Sequence, residues 1–444
     1  MEQSTNRPSP IGTLYLEGLM SRAEILFNAG YQFKGTIDAE QLEQSFLAIV
    51  DNIAKFNHQL NYRDQDSFSW QHQPQYQQRF HHIQADDLDS AFSDLSANAF
   101  EIRESSNNYP FNLVLISGND EFIIALLNSH EFVDARSSAN VFDLIVKHYN
   151  AVKAGDDKLA HTAELSAKSL KTDSAAAISR QLKNADYNTE NNLNRLQNLA
   201  VADDGGYGVS VHEMDALLPP FKARYRKPVN CQFDLTRAIS ACRKQYPEVS
   251  KNAIINALIH QAIYNLNQTN DKGAKEQTIA GKMVVDIIPN DDRHNHVGNY
   301  IGFVPLSTDG HISLADIAKS INDYIVEVKE TQLNLTCFDL VEDLAQQKVI
   351  GTANEPFSYI ITNWNNYNFL QGKDYLHGCE SVAHISGVNV DPIDATGAAL
   401  INRPVFVVNM SFDDQVYISL FPSLVDDKIN QQLVDEIMNI QSTL

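Results

Sequence analysis

Cysteine is scarce. Four residues, Cys231, Cys242, Cys337 and Cys379, are spread over 444 positions. None sits in a Cys-x-x-Cys pair or beside a histidine cluster, so neither a zinc site nor a disulfide framework is expected, and the thiols are read as reduced. His294 and His296 are not at metal-ligand spacing, and no metal is expected. Positive charge is also in short supply: 34 Lys and Arg stand against 56 Asp and Glu, a formal charge of −22. Phosphate binding needs clustered cations, so a general nucleic-acid binder is excluded, and an anionic membrane surface is disfavoured. No apolar run approaches the roughly 18 residues of a membrane span. The N-terminus shows no basic region followed by an apolar run, so no signal peptide is read. The expectation is a soluble, cytoplasmic protein. Phosphate-cradling glycine loops, nucleotide fingerprints and G-x-S-x-G elbows are absent as well.

What is present is a large apolar content, 43% of the chain, enough for a substantial core and two or three domains. The most informative stretch runs from Phe111 to Tyr149. Two apolar runs, 111–117 and 122–128, flank Gly118-Asn119-Asp120, which is a hairpin signal. The second run ends in Ser129-His130-Glu131-Phe132-Val133-Asp134-Ala135. A helical pattern follows, with Val141, Phe142, Leu144, Ile145 and Tyr149 on one side. A histidine thus stands where a buried strand gives way to a loop, four residues before an aspartate and ahead of a helix. A rigid strand end can hold a catalytic base.

Elsewhere the chain alternates strands and helices. A strand is read at 29–34, followed by a helix opened by Asp38 with Gln41 in capping-box position. Residues 64–90 are rich in Gln, His and Asp and read as exposed turns with a short strand. From about Ala154 to Gly206 polar residues dominate, and a partly helical crossover is expected. Beyond it come a helix capped by Ser250, a strand at 283–288, a helix capped by Ser313 with Asp316, strands at 357–362, 405–410 and 416–420, and a last helix carrying Ile429, Leu433, Val434, Ile437 and Met438. No short-period repeat is visible.

The Ser-His-x-x-x-Asp-Ala segment resembles the motif of the H-x-x-x-D acyltransferases, most closely the BAHD enzymes and more distantly condensation domains. A second match, His82 to Asp86, spells the condensation-domain form by letters. It follows a Gln-rich stretch with no apolar strand before it and no clear helix after it, and one chance match is expected among 14 histidines. His130 is therefore preferred. Two further segments carry the resemblance: 285–302, with Asp286, Arg293 and Gly298-Asn299-Tyr300, and 358–378, with Ser358 to Trp364 and the Asp374-Tyr375-Leu376-His377-Gly378 box. The box departs from the family's D-F-G-W-G, since Leu376 replaces the first Gly and His377 the Trp.

The resemblance implies a chloramphenicol-acetyltransferase-like α/β fold of two subdomains, each a mixed sheet with packed helices, enclosing an active-site tunnel. Residues 1–155 would form the N-terminal subdomain with the motif, 156–206 the crossover and 207–444 the C-terminal subdomain. His130 would be general base and Asp134 structural, paired across the halves with Arg293. Asp374 and Gly378 would shape the box. Ser137, Asn299, Asn363 and Trp364 are candidate substrate-binding residues, although Trp364 also reads as core and Gly298-Asn299 as a plain turn. No bound cofactor is implied; the co-substrate is acyl-coenzyme A or a phosphopantetheinyl thioester, and the acceptor an alcohol or amine. Lys222, Arg224, Arg226 and Lys227, with Arg243 and Lys244, are candidates to meet the donor's phosphates. Two other readings stay open: a free-standing condensation enzyme that takes acyl from a carrier protein to form an amide, and an inactive homologue that binds a ligand or partner. A monomer is expected from the two fused halves.

Overall fold

The 111–128 hairpin forms the middle of a five-stranded mixed sheet. The computed structural model describes residues 11–64, 67–72, 75–185, 187–199, 207–222, 228–269, 278–289, 291–346, 357–364, 375–410 and 414–444. Within these, the strands in chain order are β1 (Ile25–Lys34), β2 (His58–Asp64), β3 (Ser67–His72), β4 (Phe80–Gln84), β5 (Phe111–Ser117), β6 (Glu121–Ser129), β7 (Val229–Asp234), β8 (Thr278–Asp286), β9 (Ile301–Asp309), β10 (Tyr359–Asn363), β11 (Glu380–Val390), β12 (Val405–Met410) and β13 (Gln415–Leu420). The first sheet has the order β11-β1-β6-β5-β4 and the second β7-β13-β12-β10-β8-β9, with β2-β3 as a separate hairpin.

β5 and β6 are apolar on both faces because both faces are covered. Phe111, Leu113 and Leu115 meet Leu42, Phe46 and Ile49 of the helix Ala39–Val50 and Phe142 and Ile145 of the helix Ala135–Lys153. The alternate residues Val114 and Ile116 meet Phe92 and Leu95 of the helix Leu88–Ala97. In the second sheet Val408, Val416 and Ile418 pack on the helix Lys251–Thr269, which buries residues all round and so needs further cover from the helices Leu314–Thr331 and Asp427–Thr443.

Among its described residues the crossover holds three short helices, Asp157–Ser169, Ser174–Asn184 and Thr189–Leu199, the first two capped by Asp156 and Asp173. Asp38 caps its helix as read, accepting from the Gln41 N–H at 3.1 Å, but the Gln41 carboxamide turns instead to the Tyr149 carbonyl. β11 has no counterpart in the sequence reading. Though it comes from the second half of the chain, it runs antiparallel to β1 over Ile25↔Val390 to Lys34↔Glu380 and completes the first sheet. The β4 region also departs from expectation. A strand does carry His82, and a helix capped by Asp87 does follow Asp86.

Candidate active site

His130 follows directly on β6, where its N–H donates to the Ile25 carbonyl of β1 at 2.9 Å. The chain then turns through buried Phe132 and Val133 to Asp134, which caps the helix Ala135–Lys153 by accepting from the Ser137 N–H at 2.7 Å. This turn is held from the other lobe. The Asp134 N–H donates to the Gly298 carbonyl at 3.1 Å, and the Tyr300 N–H donates to Asp134 Oδ2 at 2.9 Å. Arg293 Nη2 reaches both Asp134 oxygens at 2.5 Å.

Arg293 has no solvent exposure, and each part of its guanidinium is occupied. Nε donates to Asp286 Oδ1 at 3.1 Å, Nη1 to the His296 carbonyl at 3.2 Å, and Nη2 also to Ser137 Oγ at 3.1 Å. Its plane lies over the Tyr300 ring at 4.7 Å. A buried cation with this many partners can offset its desolvation, whereas one without them could not. Gly298 leaves no room for a side chain, since a Cβ there would run into Ser174 Oγ. That glycine lets the second lobe's main chain lie against Ser174, at the start of the helix Ser174–Asn184, and the Tyr300 ring.

The His130 ring is half-buried and packs against Phe27 at 5.1 Å. Nδ1 is buried and faces the residue's own carbonyl, and that carbonyl is fixed by a hydrogen bond from Asn299 Nδ2. This leaves Nε2 with no hydrogen-bond partner among the described residues. Burial lowers the ring's affinity for a proton below the ordinary imidazole range, countered in part by its own carbonyl, the Asp134 charge and Asn299. A neutral ring with an open nitrogen can accept a proton.

His130 lines a cavity of about 130 Å³ between the lobes, close in size to cavities that hold a benzene-sized molecule. Its wall is mostly apolar, with Ile25, Phe27, Val284, Ile301, Phe303 and Phe421 among the contributors. His130, Asp134, Arg136, Asp286, Thr362 and Asn363 supply the polar groups. Ile360, Thr362 and Trp364 alternate along one strand and its exit, so all three present to the same space.

The candidate residues therefore separate. His130, Asp134, Asn363 and Trp364 line the cavity. Asn363 Nδ2 donates to Asn252 Oδ1 at 2.6 Å, and Trp364 meets Phe27 edge-on at 5.8 Å. Ser137 and Asn299 are not among the residues that line it. Both are fully buried: Ser137 Oγ donates to the Gly298 carbonyl at 2.7 Å, and Asn299 holds the His130 carbonyl. The Ser137 hydroxyl and the Asn299 Nδ2 are thus spent on joining the lobes. Gly378 adopts φ +76° in a turn away from the cavity, anchored to Asn150 through the His377 N–H at 2.9 Å and the Tyr375 carbonyl at 2.9 Å. Asp374 lies outside the described residues, as do Arg224, Arg226 and Lys227. Lys222 is paired with Asp391 at 3.1 Å, so it is not a free cation. His82 is exposed on the edge strand β4 and shares its ring nitrogen with Ser117 Oγ at 2.9 Å. Exposure, rather than the absence of neighbouring elements, sets it apart from His130. Phe27, Arg136, Asp286 and Thr362 were not singled out from sequence as site residues. Asp286 and Thr362 both stand at the ends of apolar strands, the signal that could have found them.

Among the described residues no group of three or more potential ligands could hold a metal ion, and no helix is long and apolar enough to cross a membrane. No protein-family model matches the chain, and no curated protein matches it by sequence. Solved structures do match it. The first condensation domain of the calcium-dependent antibiotic synthetase, in complex with a substrate analogue, aligns over 97% of this chain and 96% of its own at 11% identity and a TM-score of 0.67. The starter condensation domain of rhizomide synthetase, in complex with C8-CoA, aligns over 97% and 94% at 13% identity and a TM-score of 0.63. Polyketide synthase associated protein 5 from Mycobacterium tuberculosis aligns over 97% of both chains at 13% identity and a TM-score of 0.61. At such identities the likeness establishes the fold: this chain has the two-subdomain, chloramphenicol-acetyltransferase-like architecture of condensation domains.

Proposed function

We propose that the protein transfers an acyl group from a thioester to an amine or alcohol, with His130 as general base. The observation that carries this is a histidine, its proton affinity lowered by burial, in the wall of a largely apolar cavity between two lobes. Nε2 takes the proton from the acceptor as its nitrogen or oxygen forms a bond to the thioester carbonyl carbon. The carbonyl electrons move to oxygen. Collapse of that intermediate breaks the C–S bond, and the imidazolium returns the proton to the departing thiolate. The products are an amide or ester and a free thiol. Thr362 lines the cavity and is the hydroxyl assigned to steady the oxyanion, since Asn363 Nδ2 is already engaged with Asn252. Asp134 and Arg293 hold the loop and take no part in proton transfer.

The apolar wall suits a hydrophobic acyl chain. Condensation domains among the structural neighbours favour the condensation-type reading over a BAHD enzyme, and the neighbour holding C8-CoA supports acyl-coenzyme A as a donor. Coenzyme A and carrier-protein thioesters present the same phosphopantetheine arm, so donor choice is decided by trial. The test is mass spectrometry of products after incubation with acyl-coenzyme A or acyl-carrier protein and an acceptor mixture. Wild type should form product, and His130→Ala should lose about 10²- to 10⁴-fold in turnover while staying folded. Loss of activity on His82→Ala but not on His130→Ala would overturn the assignment. Tight ligand binding without turnover over the whole panel would favour the non-catalytic reading.

A further inference from the structure

One carboxyl group in the cavity wall has no task in the chemistry above. Asp286 ends β8 and lines the same cavity as His130. Its Oδ1 accepts from Arg293 Nε at 3.1 Å, whereas Oδ2 makes no hydrogen bond among the described residues. The side chain is 32% exposed, and the space it faces is the cavity. The other carboxylate of the wall cannot serve a ligand, because both Asp134 oxygens are committed to Arg293 and to main-chain N–H groups. Arg136 lines the cavity too, is already engaged, and exerts its charge on Asp286. Burial pushes the Asp286 carboxyl up from its ordinary range, opposed by Arg293 and reinforced by the Asp134 charge, so a cation at the open oxygen would favour the ionised form and answer it better than a neutral donor.

We propose that Asp286 anchors a cationic group of the acceptor, so that the preferred acceptors are amines carrying a second, distal ammonium. This rests on the proposed acyl transfer and deepens it. His130 follows the end of β6 and Asp286 ends β8, two different strands that both contribute to the cavity wall. The anchored cation and the reacting amine are therefore different groups, and the molecule must span between them. Asp286 is a specificity residue here and handles no proton of the reaction.

The test uses putrescine and its isostere n-pentylamine, in which a methyl group replaces one terminal ammonium. Their binding to the full-length protein is measured by calorimetry, so the answer does not depend on turnover. Wild type should bind putrescine at least about tenfold more tightly. Asp286→Asn keeps an oxygen to accept from Arg293, removes the charge and puts an amide donor where the open oxygen was. It should erase that preference and leave n-pentylamine binding unchanged. Equal binding of the two amines by wild type, failure of both to bind, or a preference that survives in Asp286→Asn overturns the proposal. Acylation of both amines with equal affinity would sink this inference and leave the acyl-transfer reading standing. A cation preference without any product formation would do the reverse.

Discussion

Replacing Arg293 by Met should cost more than any surface ion pair could explain. The methionine keeps the aliphatic stem and removes the guanidinium. Five hydrogen bonds are lost: two to Asp134 and one each to Asp286, the His296 carbonyl and Ser137 Oγ. Asp134 then stays buried with only main-chain donors for company. Breaking a buried pair from one side costs about 3–5 kcal/mol, against roughly 0–1 kcal/mol for an exposed one. Asp134→Asn should cost a similar amount, because asparagine still caps a helix but offers Arg293 no negative charge. The diagnostic quantity is the coupling. The double variant should be at least about 2 kcal/mol more stable than the sum of the single losses, since neither partner is left stranded.

Guanidinium-chloride unfolding reads all four proteins. Circular dichroism is set beside fluorescence of the two tryptophans, Trp70 and Trp364. Trp70 packs on Phe132 beside the motif turn and Trp364 on Phe27 between the lobes, so coincident transitions would show that the lobes unfold together. Single losses under about 1 kcal/mol, or losses that simply add, would refute the claim that this pair joins the lobes.

Two further outcomes are expected. Asn299→Ala should lower turnover about tenfold with little change in KM. Because Asn299 favours the protonated ring, its loss should also move the acid limb of the kcat/KM profile to lower pH; an unmoved profile would confine Asn299 to structure. His260 has no exposure and no hydrogen bond at either ring nitrogen, and burial lowers its pKa to about 3. The unfolded chain therefore binds the extra proton first, and this residue subtracts stability as pH falls from about 6.5 toward about 3. His260→Leu should stabilise, by about 2 kcal/mol more near pH 5 than near pH 8 on urea unfolding; equal gains at both pH values would count against the linkage.

The parts of the site legible in sequence were those encoded locally. The two apolar runs, the histidine at the end of one of them and the capping Asp134 lie within 24 residues, and their spacing alone places them. Side-chain use was not legible. Ser137 looks like an available hydroxyl until the other lobe brings up Gly298 and Arg293 to occupy it. His82 could not be judged from pattern, because an exposed edge strand needs no apolar alternation and β4 has little. β11 was invisible for a related reason. Its run ESVAHISGVNV mixes Ser, His, Gly and Asn with its apolar residues, and its partner β1 lies some 350 residues earlier in the chain. Cavity walls drawn from strand ends in both halves cannot be assembled from one stretch, which is why Asp286 became informative only in three dimensions.

The same long-range pairing bears on what a functional unit of this protein is. The motif histidine sits on the first sheet, but its carbonyl, its turn and its aspartate are held by Asn299, Gly298, Tyr300 and Arg293 of the second lobe. In return the first sheet borrows β11 from the second half, and without it β1 would expose a ten-residue edge. A division at the crossover would thus remove a strand from one lobe and the support of the base from the other. Because the lobes exchange structure in both directions, a small shift between them alters the cavity and the orientation of His130 together. Under the proposed function, access to the cavity and the poise of His130 are therefore coupled.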